Sequence, residues 1–168
     1  SVYFGLKDMN MRHEADNFEV NEIKKVMRFL SDNRKKGYLA LNTIVMDHQL
    51  PKVKKILREA RKARVNAVIC WDMAVFQLAQ KSGLNLHLST QASVSNYEAL
   101  MGYARIGARR VVLARECSLR QITKISKALK RGKVCCRIEA FVHGAMCLGV
   151  SGRCFLWQYS VARSANTG

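Results

Sequence analysis

The constraint that most narrows the fold of this chain is a regular alternation of two kinds of apolar pattern. Short, nearly continuous apolar runs occur at 2–4, 38–44, 67–71, 86–88, 111–113 and 136–142. Between them lie longer amphipathic runs at 20–33, 51–64, 74–82, 96–106 and 119–131. The longer runs keep a helical period: in 51–62, Val53, Ile56, Leu57 and Ala60 fall on one face. Strand and helix thus alternate with a spacing of roughly 27 residues, the pattern of a parallel sheet built from βαβ units. The unbroken run Ala67-Val68-Ile69-Cys70 agrees, because parallel strands are covered on both faces.

The residue types just past each apolar run narrow the architecture further. Lys7, Asn10 and Arg12 come after the first, the second ends in Asn42-Thr43, and the third meets Asp72. The fourth leads into Ser89-Thr90-Gln91, the fifth into Arg115-Glu116, and the sixth into His143-Gly144. Each alone could be a helix cap or turn residue. Six in register point to a TIM-type (β/α) barrel, which builds its active site from the C-terminal ends of all its strands. A doubly wound sheet uses that edge only near one switch point. A complete barrel has eight units and about 250 residues. The expectation is an incomplete parallel (β/α) barrel of six units, a single domain over 1–168, truncated at both ends relative to the natural protein.

Charge and cysteine usage bound the function. The chain carries 29 Lys and Arg against 12 Asp and Glu, a formal charge of +17 that attracts polyanions, RNA foremost. Lys54, Lys55 and Arg58 on the second amphipathic run are the candidate RNA contacts, and a merely solvated helix face is the equal alternative. No run reaches the roughly 18 apolar residues of a membrane span, and no secretory leader is expected. A cytoplasmic protein is expected, as a monomer or as a homo- or hetero-oligomer. The six cysteines then read as free thiols rather than a disulfide framework, with Cys70, Cys135 and Cys136 buried in apolar runs.

The run Phe141-Val142-His143-Gly144-Ala145-Met146-Cys147, with Ser151-Gly152-Arg153-Cys154 and Ser164-Ala165-Asn166 after it, carries a family resemblance. Val2-Tyr3-Phe4-Gly5, Asn17-Phe18, Leu41-Asn42-Thr43, Ser89-Thr90-Gln91-Ala92 and Leu113-Ala114-Arg115-Glu116 support it in order along the whole chain. The sequence resembles the collagenase-like peptidase family U32. Several members of that family are iron–sulfur enzymes that insert hydroxyl groups without molecular oxygen. Their substrates include a tRNA wobble uridine, an rRNA cytidine and a ubiquinone precursor, and prephenate is the implicated oxygen donor in the RNA cases. The resemblance implies that Cys147 and Cys154 are the first pair of four thiolate ligands to a [4Fe–4S] cluster in the full-length protein. The family's next cysteines would fall past Gly168, and Asn166-Thr167-Gly168 departs from the usual Asn-Arg-Gly.

The remaining strand-end residues receive roles on chemical grounds. His143 suits a general acid or base near neutral pH, and Glu116 and Gln91 are further catalytic candidates. Arg115 and Arg12 could clamp a carboxylate through the guanidinium fork, while Asn42 and Thr90 could orient substrate by neutral hydrogen bonds. Each also has a structural alternative as a cap, turn or ion-pair residue. His87, inside a strand, is ambiguous. No nucleophile elbow or zinc-binding helix motif is present, although Cys147 or Cys117 with His143 could form a nucleophile and base. Three functions remain open: an iron–sulfur hydroxylase of tRNA or rRNA, a peptidase of unidentified type, and a non-catalytic RNA- or partner-binding module.

Overall fold

The structure, a computed structural model, describes residues 1–11, 15–144 and 149. Arg12, Cys147 and Cys154 lie outside the described residues. Six strands alternate with five helices: β1 (Val2–Gly5), α1 (Ile23–Asp32), β2 (Gly37–Ala40), α2 (Leu50–Lys62), β3 (Ala67–Cys70), α3 (Met73–Lys81), β4 (Leu86–Leu88), α4 (Tyr97–Arg105), β5 (Ala108–Val112), α5 (Leu119–Arg131) and β6 (Arg137–Glu139). All six strands form one parallel sheet in sequential order. That order excludes a doubly wound topology, which requires the strand order to reverse.

Local chemistry sets the helix boundaries. Asp72 caps α3, accepting from Ala74 N and Val75 N at 2.9 and 3.2 Å, and Asn96 caps α4 through Ala99 N at 2.8 Å. Ser118 and Gln121 close a reciprocal capping box on α5. Pro51 stands in the first turn of α2, where its missing N–H costs nothing.

The core lies between the helices and one face of the sheet. Phe4, Leu39, Val68, Leu86, Leu88 and Val111 point into it from the strands; Ile56, Leu57, Phe76, Leu100 and Ile125 meet them from the helices. Burying each such side chain contributes about 1.5–3 kcal/mol. Tyr38, Ala67 and Ile69 form a separate cluster, because alternate residues of a strand face the opposite side. This other face carries Tyr3, Tyr38, His87, Arg110 and Glu139, and it is strongly concave. Tyr3 on β1 donates its hydroxyl to Glu139 on β6. A flat six-stranded sheet would hold its edge strands about 24 Å apart, far beyond the reach of those two side chains. The sheet is therefore curled, with β1 and β6 facing each other across its interior.

Interior contacts then run side to side. Arg110 Nη1 pairs with Glu139 Oε2 at 2.7 Å, its guanidinium lies 5.6 Å from the Tyr38 ring centre, and the His87 ring lies 4.8 Å from the same ring. A β-bulge puts Arg110 there: Leu86 pairs with Ala108, but His87 pairs with Arg110, so Arg109 is passed over and turns outward. Burial, reinforced by the Arg110 charge, pushes the His87 imidazole down to a pKa of about 4. Burial and the hydrogen bond to Glu139 push the Tyr3 hydroxyl up to about 12.

Three details depart from the sequence expectations. The runs expected as strands at 38–44 and 136–142 stop at Ala40 and Glu139. Leu41 N still bonds Ile69 O, but the Asn42 carbonyl then turns to side-chain donors and leaves the ladder. β5 starts three residues before the expected 111, because the bulge accommodates two arginines that hydropathy rejects. Cys135, expected to be buried, is exposed in the turn before β6.

The loop after β1 folds back on it: Leu6 bridges Phe18, Phe18 N donates to Gly5 O at 3.1 Å, and the Phe4 and Phe18 rings stack edge-on at 6.1 Å. Asn10 is buried over Gly5 and donates to Asn17 at 2.7 Å, leaving no room for a Cβ at Gly5. Gly5→Ala is expected to cost about 1–3 kcal/mol by overpacking, read by denaturant unfolding. His87 supplies a pH signature. Its folded pKa lies below the unfolded value, so the stability it contributes is complete above about pH 6.5 and is lost as pH falls toward about 4. Thermal unfolding of His87→Gln should lack the pH dependence seen between pH 5 and 6.5 in the parent chain.

Candidate active site

The C-terminal ends of β2, β3 and β4 are tied together by one amide pair. Asn42 Nδ2 donates to Gln91 Oε1 at 3.0 Å, and Gln91 Nε2 donates back to the Asn42 carbonyl at 2.7 Å. Ser89 Oγ donates to the same Gln91 oxygen at 2.9 Å, Trp71 Nε1 to the Asn42 carbonyl at 2.9 Å, and Met11 N to Asn42 Oδ1 at 3.2 Å. Four segments thus converge on two half-buried amides. Gln91 sits on a short 3-10 turn, Thr90–Ala92, which Ser89 caps and which ends in Ser93 with a positive φ of 52°. Thr90 Oγ1 donates to Leu113 O at 3.1 Å, which extends the network to the end of β5. Asp72 caps α3 and also accepts from Val45 N at 3.2 Å, so its carboxylate is committed to structure.

Arg115 stands just past β5 on the same edge. It is half-buried, and its Nη2 donates to the Gly149 carbonyl at 3.2 Å. Gly149 stands between Cys147 and Cys154 in the sequence. Glu116, next to it, is exposed. Cys117 is held protonated by burial first and by the Glu116 charge second. His143 is exposed, four positions beyond the end of β6, and no hydrogen bond among the described residues joins it to Asn42, Gln91 or Arg115. Lys54, Lys55 and Arg58 lie exposed on the outer face of α2, and Arg58 approaches Glu59 at 3.8 Å.

The site residues read from the sequence thus fall into two groups. The structure brings Asn42, Thr90 and Gln91 into one network and places Arg115 at the neighbouring strand end. It leaves Glu116, His143 and the α2 cations on exposed surface. Sequence reasoning misses Trp71, whose indole N–H fixes the Asn42 carbonyl, and the interior residues Tyr3, Tyr38, Arg110 and Glu139. Their signal is the strand period: each stands on the face opposite the core residues beside it.

Metal ligation by the described cysteines fits poorly. Burial pushes the Cys70 thiol up to about 12, and burial also raises Cys117 and Cys136, whereas a ligand must be a thiolate. Among the described residues no group of three or more His, Cys, Asp or Glu could hold a metal ion. Nor is any described helix long and apolar enough to cross a membrane.

Comparison with known proteins gives this edge a context. The chain is 45% identical over 168 residues to an uncharacterized protease of Methanocaldococcus jannaschii, covering all of this chain and 41% of that protein. It is 39% identical to a collagenase of Porphyromonas gingivalis, covering all of this chain and 42% of that protein. It is 34% identical to a tRNA hydroxylation protein of Bacillus subtilis, again over the whole chain and 39% of that protein. The chain therefore spans about two fifths of the length of these relatives. In fold it resembles the solved structure of a U32 peptidase, with a TM-score of 0.64 at 14% identity, over 83% of this chain and 59% of that one. The description Peptidase family U32 matches residues 1–168, and the chain belongs to that family.

Proposed function

We propose that the protein carrying this chain hydroxylates an RNA base without molecular oxygen, with the C-terminal edge of the sheet as its active face. The observation that carries the reading is the rim itself: the locked Asn42–Gln91 amide pair, with Arg115 at the neighbouring strand end bonded to the Gly149 carbonyl. The relative named a tRNA hydroxylation protein, and another named a 23S rRNA 5-hydroxycytidine C2501 synthase in Escherichia coli, support RNA as substrate. The +17 charge suits a polyanion. In this reading the curled sheet is the larger part of a (β/α) barrel, and the protein acts in the cytoplasm.

Each residue then has a task. On the family resemblance, Cys147 and Cys154 supply two thiolates to a [4Fe–4S] cluster. Bound there, the cluster supplies one-electron chemistry that no side chain provides. Arg115 is the clamp for a carboxylate such as that of prephenate, the oxygen donor in this scheme, because its planar guanidinium matches carboxylate geometry. Asn42 and Gln91, locked by their mutual bonds and by Trp71, present amide groups at fixed positions for the edge of a base. Pre-fixed amides lose little entropy on binding, so their orientation is transmitted to the substrate.

Two outcomes test this. In cells lacking the full-length protein, the target RNA nucleoside should be one oxygen lighter by mass spectrometry. Complementation with the wild type should restore the oxygen, and Cys154→Ser should not. A peptidase using Cys147 as nucleophile would tolerate Cys154→Ser and lose activity only on Cys147→Ser, so full activity of the former variant contradicts the hydroxylase reading. Gln91→Ala releases Asn42 and should lower kcat about 10–100-fold with RNA affinity unchanged. An unchanged kcat would reduce the amide pair to a structural tie.

A further inference from the structure

The opposite end of the sheet has an unexplained feature. Five turns lead from a helix into the next strand; taken with the end residues of the helices and strands that flank them, these junctions span 33–36, 61–66, 81–85, 105–109 and 130–135. Together they hold twelve of the chain's 29 Lys and Arg and none of its 12 Asp and Glu. All twelve basic side chains are exposed. Among the described residues, ion pairing on this face is limited to Lys62 with Glu59 at 2.9 Å. Basic residues in the last turn of a helix offset the macrodipole, but that effect fades beyond the last turn. Arg34, Lys36, Arg64, Arg109 and Lys133 lie past it.

Backbone conformation supplies a second, independent observation. Each turn contains a residue with positive φ. Two of the turns use glycine, Gly83 at 69° and Gly107 at 113°. The other three place Arg34 at 53°, Arg64 at 56° and Lys133 at 50°. Glycine or asparagine is the unstrained choice for a left-handed residue after a helix, and a long basic side chain is not. The chain thus accepts backbone strain at the three positions where it keeps a cation.

The junctions also adjoin one another, the first four through hydrogen bonds and the last through a cavity that Arg105 and Arg109 share with Val134 and Cys135. Val2 N donates to Lys36 O at 2.8 Å, Gly37 N to Asn66 Oδ1 at 2.8 Å, Asn85 Nδ2 to Asn66 O at 3.1 Å, and Gln80 Nε2 to Ile106 O at 2.9 Å. A cavity of about 490 Å³ opens between Arg61, Arg64, Asn66 and Asn85. A second, of about 270 Å³, opens beside Arg105 and Arg109. A membrane-binding face would pair its cations with apolar side chains able to insert. Among the large hydrophobic residues exposed in the described part of the chain, these turns hold only Ile106.

We infer that this face, opposite the candidate active site, is a docking surface for the sugar–phosphate backbone of RNA. The inference rests on the proposed RNA substrate and adds where a distant part of that RNA is held. Cations at five separate helix-to-strand junctions can neutralise successive phosphates, while the strand ends on the other side act on a base.

The experiment measures affinity of the full-length protein for a fluorescent tRNA across a salt series. The variants are Arg34→Gly with Arg64→Gly and Lys133→Gly, and, separately, Lys36→Gln with Arg105→Gln and Arg109→Gln. The glycine variant should unfold at the same or a higher temperature, since it relieves left-handed strain. Both should bind RNA at least about tenfold more weakly at low salt, with the slope of log affinity against log salt reduced by about two to three. A folded variant of either kind with the parent affinity and slope overturns the inference, and leaves the RNA reading intact if the parent binds tRNA. A full-length parent protein that fails to bind tRNA at low salt overturns both. Tighter binding to phosphatidylserine vesicles than to tRNA, lost in the same variants, would assign the face to a membrane and overturn it as well.

Discussion

Glu139 sits between Tyr3 and Arg110, and much of the molecule depends on that position. A parallel sheet has an intrinsic twist but no intrinsic reason to bring its first and last strands together. Here the β6 carboxylate accepts from the β1 tyrosine and from the β5 guanidinium, on the concave face opposite the helix-packed core. Because these groups are partly withdrawn from water, the charge on Arg110 needs the charge on Glu139. Leaving either alone would strand an ion in a low dielectric. Burial of the Arg110 Nε, which has no partner among the described residues, is tolerated because Glu139 and the Tyr38 ring hold the rest of the guanidinium. The β-bulge that aims Arg110 inward serves the same end.

Curvature then determines what the two ends of the sheet can do. At the C-terminal end, strand tips that would be far apart in a flat sheet converge, and Asn42 meets Gln91 across the tip of β3. Their reciprocal bonds stiffen the rim: an amide that both donates to and accepts from its partner cannot rotate without losing both bonds. At the N-terminal end the turns splay around the outside and present cations with few neutralising acids. The Asn42–Gln91 pair at one end is neutral and flanked by single charged groups such as Arg115; the other end is a field of positive charge. A polyanionic substrate with a neutral reacting base matches that division of labour.

Much of the fold is legible in the chain alone, since alternation of period and strong helix caps are local signals. The run expected at 119–131 matches α5 residue for residue, because Ser118 opens it with a capping box and Gly132 stands just beyond it. The interior is much less legible. Tyr38, His87, Arg110 and Glu139 are scattered over about a hundred positions, and only strand register aligns them. Hydropathy also sets the start of β5 too late, as it treats Arg109-Arg110 as loop. At the rim the residue types are readable, and Asn42, Thr90, Gln91 and Arg115 stand out as strand-end groups. That Asn42 and Gln91 are bonded to each other is not, as 49 positions separate them. Cys147 and Cys154, identified through the family resemblance, lie outside the described residues.

Redox chemistry housed beside the Asn42–Gln91 rim is the central requirement of the hydroxylase reading, and metal content addresses it without reference to any substrate. The full-length protein, purified without air, should be brown and contain about four iron and four acid-labile sulfide per chain. A colourless, fully folded protein with neither iron nor sulfide after anaerobic reconstitution would contradict that reading and return the family's peptidase activity to first place.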